Sequence, residues 1–106
     1  MSTDDQIRAE ARNRLAAQVA QLKHEVGVGL EISALINNET VKKTLDGLLN
    51  GIQNEWLITP NRDQRELLWQ KALGVQEFVQ TLRQLIETGK MAAHQLEQVR
   101  NDNQNQ

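Results

Sequence analysis

Apolar residues recur along this chain at steps of three and four, the spacing that lines one face of an α-helix. Ile7, Ala11, Leu15, Val19, Leu22 and Val26 keep one stripe in register, with Arg8, Arg12, Arg14 and Lys23 off it. Thr3 as cap, Gln6 three residues on, and Asp4 and Asp5 at the positive end of the helix dipole predict a start near residue 4. The run Gly27-Val28-Gly29 predicts a stop, because glycine accepts the left-handed conformation that closes a helix. A second segment starts at Leu30, with helical spacing in Ile32, Leu35 and Ile36. Past Asn37-Asn38 its face is Val41, Leu45, Leu48, Leu49, Ile52 and Trp56, with Asn38 as N-cap, and whether the segment kinks there is open.

Thr59 as cap and Pro60 at the first helical position predict the start of a third helix. Along it Leu68, Ala72, Val75, Val79, Leu82, Ile86, Gly89, Ala93 and Leu96 alternate steps of four and three, a heptad seam suited to packing against another helix. Phe78, Leu85, Ala92 and Val99 widen that stripe. Gly89 is expected to be either a terminus or a place of close helix approach. The predicted helices are about 4–26, 30–57 and 60–99, one domain over 1–100, with a polar tail at 101–106 that lacks any apolar anchor.

Two registers follow. A hairpin centred on Pro60 pairs Ile52 with Leu68, Leu48 with Ala72, Leu45 with Val75 and Val41 with Val79. A second fold-back about Val28 pairs Leu15 with Val41 and Ala11 with Leu45, which would complete an up-down-up three-helix bundle. The alternative keeps only the hairpin across Pro60 and leaves the long third helix to project beyond it. Either way the fold class is all-α: an antiparallel helical hairpin or three-helix bundle with a long, coiled-coil-like C-terminal helix.

Composition sharpens the class. One proline and three aromatic residues in 106 do not suit a sheet protein. Twelve basic against 14 acidic residues give no general attraction to nucleic acid, so any such contact would be local. The absence of cysteine removes disulfides, thiolate metal sites and thiol nucleophiles. An acidic N-terminus and no apolar run of membrane-spanning length predict a cytoplasmic chain that makes no membrane contact.

Candidate chemistry is sparse. His24 and His94 lack a third ligand at metal spacing, and neither serine lies in a nucleophile motif. Thr88-Gly89-Lys90 lacks the upstream glycine of a phosphate loop. No metal, no cofactor and no enzyme activity are expected. The residues expected to carry function are interface residues: Val75, Val79, Leu82, Ile86, Ala93 and Leu96 on the seam, and Trp56 and Trp69 flanking the turn. Those two indoles are expected to cap the hairpin as near neighbours; exposed together on one face, they would instead mark a binding site. Arg8, Arg12 and Arg14 are the candidate contacts for nucleic acid.

The run from Asn54 to Gln98, with its Trp before the turn, "RELLW" after it and the ending "GKMAAHQL", resembles the C-terminal half of small helical proteins of tailed bacteriophages and prophages. The resemblance implies a virion component or assembly factor, located in the host cytoplasm or the particle, that self-associates or contacts other phage structural proteins. It carries no site residues. The expected function is a non-enzymatic helical interaction protein that oligomerises or docks through its long C-terminal helix; the alternative is a small DNA-associated regulator or packaging factor using the first helix.

Overall fold

The computed structural model describes residues 3–104 and forms three α-helices: α1 (Thr3–Asn37), α2 (Glu39–Ile58) and α3 (Arg62–Gln104). The chain is all-α, as its periodicity requires, and the C-terminal helix is the longest of the three. By contact it divides into two units: Met1–Leu30 with Leu85–Gln106, and Glu31–Gln84.

In the first unit α1 packs against the later part of α3, and two glycines hold the contact. A Cβ placed on Gly29 would stand 3.0 Å from the Cα of Gly89 and 3.3 Å from the carbonyl oxygen of Leu85; one placed on Gly89 would stand 3.0 Å from the carbonyl oxygen of Glu25. Backbone therefore lies on backbone, which any larger side chain would prevent. Leu22 on α1 and Ala92 on α3 are buried, while Val19, Val26, Ile86, Leu96 and Val99 are half-buried.

This packing corrects the expected stop at Gly27–Gly29. Helix α1 runs unbroken through both glycines, and no described glycine has a positive φ. The turn needed to pair Leu15 with Val41 about Val28 is absent, so the fold-back there does not form. The chain uses the missing Cβ of Gly29 for close approach instead of for reversal. Gly89 likewise is a close-approach residue and not a terminus.

In the second unit, α2 and the first part of α3 form a hairpin across residues 59–61. Its centre matches the expected one: Ile52 and Leu68 both line the grooves on either side of the hairpin, and Arg65 meets Trp56 across the turn. The ends differ from expectation in their chemistry. Thr59 closes α2, donating its hydroxyl to the carbonyl of Glu55 at 2.6 Å, and Asn61 caps α3 by accepting from the backbone N–H of Gln64 at 3.0 Å. Pro60 is thus a turn residue between two caps, not the first residue of α3. Asn38 caps α2 as expected, its Oδ1 accepting from Val41 N at 3.1 Å, and its extended backbone ends α1 one residue earlier. Thr3 is already inside α1, and residue 2 lies outside the described residues. Residues 101–104, expected in a polar tail, continue α3; residues 105 and 106 lie outside the described part.

Candidate interaction surface

The heptad seam of α3 is turned toward the chain's own helices. Leu68 and Leu82 are buried, and Ala72, Val75, Val79, Ile86 and Leu96 are half-buried. Ala93 departs from the pattern: it is exposed, and its neighbour Ala92 takes the inward position. The change follows Gly89, where backbone contact with Gly29 sets which side of α3 faces α1, so that the inward row steps by three to Ala92. The seam residues thus form the chain's own core, and the apolar surface left to water lies elsewhere.

Much of that surface is on the hairpin of α2 and α3. Helix α2 has no buried residue, although every third or fourth position is apolar. Two paired helices cover only one stripe on each other, and residues beside that stripe stay wet on both faces of the hairpin.

One face carries the tryptophans. Trp56 is 38% exposed and Trp69 55% exposed, and both border a groove of about 320 Å³ with Leu49 and Ala72 at its base. The guanidinium carbon of Arg65 sits 3.7 Å from the Trp56 ring centroid, where the negative face of the indole attracts the cation. Its Nε is buried there without a hydrogen-bond partner among the described residues. Around the turn, Arg62, Glu66 and Pro60 border a second hollow against the same two indoles. Both tryptophans therefore stand on one face as exposed neighbours, and the expectation that they cap a closed hairpin end gives way to a surface aromatic site.

The opposite face has a groove of about 540 Å³ lined by Ile52, Leu68 and Val75, with Leu48 and Phe78 beside them and Glu55 and Lys71 also at its border. Cβ atoms at Gly51 and Gly74, which also line it, would meet nothing within 4 Å.

Arg8 and Arg12 are exposed and close, bordering one shallow surface with Asp5 and Ala11. Arg14 lies about 120° or more around α1 from both, so the helix does not gather the three arginines on one face. His94 approaches Gln98 at 3.3 Å, and no group of three or more metal-ligating side chains occurs among the described residues. Among those residues, no helix is long and apolar enough to cross a membrane.

No protein-family model matches the chain, and no curated protein or solved structure is significantly similar to it.

Proposed function

We propose that this chain is a non-enzymatic helical protein–protein interaction protein, a component or assembly factor of a tailed-phage particle, that works by docking its α2–α3 hairpin against other helices. One observation carries the docking: α2 is amphipathic and buries none of its residues, while Trp56 and Trp69 stand exposed on one face beside it. Exposed aromatic and aliphatic side chains clustered in this way stay in water at a cost of roughly 25 cal/mol per Å² of apolar surface, which a partner helix removes. Indoles and an arginine stacked on one of them are also the residue types that dominate binding energy when an interface closes over them. The phage assignment rests on the resemblance of residues 54–98. The expected α3 seam enters this reading as the support that holds the hairpin, with the contact surface on its flanks.

The test is indole fluorescence and solution mass of the full chain, alone and with each structural protein of the particle that encodes it. A blue shift of emission with a gain in mass, both lost in Trp56→Ala/Trp69→Ala, is expected. A chain that stays monomeric, with unchanged emission in every mixture, would refute the reading.

The DNA-associated alternative has only Arg8 and Arg12 on a common surface, with Asp5 beside them. Two arginines release few counterions. No mobility shift of duplex DNA at low salt is expected, and a salt-sensitive shift abolished by Arg8→Ala/Arg12→Ala would favour that alternative.

A further inference from the structure

We propose that a second copy of this chain covers the hairpin face opposite the tryptophans, the two copies related by a two-fold axis at the level of Ile52 and Leu68, so that Glu55 of each meets Lys71 of the other. The inference rests on the docking reading above and names one partner and one face for it.

The face is defined by helical spacing. On α2, Leu48, Gly51, Glu55 and Ile58 follow at steps of three and four; on α3, Leu67, Lys71, Gly74 and Phe78 do the same. Its large apolar members are open to water: Leu48 is 49% exposed, Phe78 56%, Leu67 60% and Ile58 81%. Gly51 and Gly74 leave room beside them that no atom of this chain fills.

Charge identifies the occupant. The groove is lined by one acidic and one basic residue, Glu55 and Lys71, both exposed and neither ion-paired among the described residues. Glu55 lies three residues beyond Ile52 toward the turn, and Lys71 three residues beyond Leu68 away from it. Both are thus displaced by about 4.5 Å, in opposite directions, from the level of the Ile52–Leu68 pair. A two-fold axis running across the hairpin at that level, with the turns pointing opposite ways, interchanges the two displacements. It makes two identical Glu55–Lys71 pairs, and it sets Leu48 of one copy near Ile58 of the other and Leu67 near its own counterpart. Such self-complementarity is what an isologous interface requires. An unrelated partner would need a charge pattern of its own to match.

Area agrees. The chain leaves 8621 Å² in contact with water at 12.1 kDa, where a globular monomer of that mass exposes about 6000 Å². The difference, roughly 2600 Å² per chain, is ample for a homodimer interface, which buries about 2000 Å² or more in total.

The test is sedimentation of the full chain as wild type, Glu55→Lys, Lys71→Glu and the double exchange. A dimer is expected for the wild type. Either single exchange sets like charges together at both pairs and weakens association by roughly tenfold or more, and the double exchange restores it. Both positions are exposed, so helicity by circular dichroism stays at the wild-type level. Because the chain has no cysteine, Leu67→Cys, which the axis sets near its own counterpart, supplies a second measurement: disulfide-linked dimer under mild oxidation. A wild-type monomer that binds another structural protein overturns the second copy but leaves the docking reading. A dimer indifferent to the exchanges, or one in which the cysteine variant does not cross-link, overturns this face. A monomer that binds nothing overturns both.

Discussion

Two glycines of α1, two positions apart, do opposite work. Gly29 lies with its Cα against Gly89, whereas a Cβ on Gly27 would meet nothing within 4 Å. Gly27→Ala should therefore raise stability by about 1 kcal/mol through helix propensity alone. Gly29→Ala gains the same propensity, but its methyl meets backbone that cannot rotate aside, and overpacking of this kind costs about 1–3 kcal/mol. A net loss is expected in urea unfolding; equal gains at both positions would show that the helices do not touch there. Glycine is common at helix ends, which is why these residues suggest a helix stop. The contrary signal was present in the spacing: Leu15, Val19, Leu22, Val26, Gly29, Ser33 and Ile36 continue one stripe at alternating steps of four and three straight through the glycines. At the turn, Pro60 marked the hairpin centre correctly, but the side chain that caps α3 is Asn61, one residue further on. An Asn or Asp near a proline competes for the same role, and composition alone does not rank them.

At the level of the element, the seam of α3 was legible as a heptad and its inward face is the chain's own core. What the heptad could not give was the choice between adjacent alanines past Gly89, because that choice follows from a contact with a residue sixty positions earlier in the chain. Ala92→Leu should lower stability by about 1–3 kcal/mol, since a larger side chain has no room in the packed contact. Ala93→Leu is exposed and should change it by under about 0.5 kcal/mol; denaturant midpoints of the pair distinguish this register from a strict heptad. Leu82→Ala, at a buried seam position, should cost about 2–5 kcal/mol. Between α1 and α2 the single residue Asn38 ends one helix and caps the next. Asn38→Ala should cost about 1 kcal/mol, read as a lower thermal midpoint, and Asn38→Asp should retain most of it by keeping an acceptor for Val41 N.

For the whole molecule, the balance between core and surface decides how stability must behave. The residues buried within the chain are few, Leu22, Leu68, Leu82 and Ala92 being its buried apolar set among the described residues, and a core of that size offers little against the backbone entropy of 102 ordered residues, about 1–2 kcal/mol each. The site was readable in the sequence only as a question about two tryptophans, because periodicity says which positions are apolar and not how many of them a single chain can cover. A hairpin's second and third stripes look like core in the sequence and become surface only when helices are counted in space. If a second copy supplies the missing cover, folding and association are one equilibrium, and the thermal midpoint must rise with protein concentration. Each tenfold increase adds about 1.4 kcal/mol of stability to a dimer near 25 °C, so melts recorded across two decades of concentration should show a steady upward shift in wild type. In the Glu55→Lys chain, the midpoint should be lower at every concentration, because each copy then forms its interface against like charge. A wild-type midpoint independent of concentration would mean that the four buried side chains and their half-buried neighbours suffice, and that the exposed face is kept for a different partner.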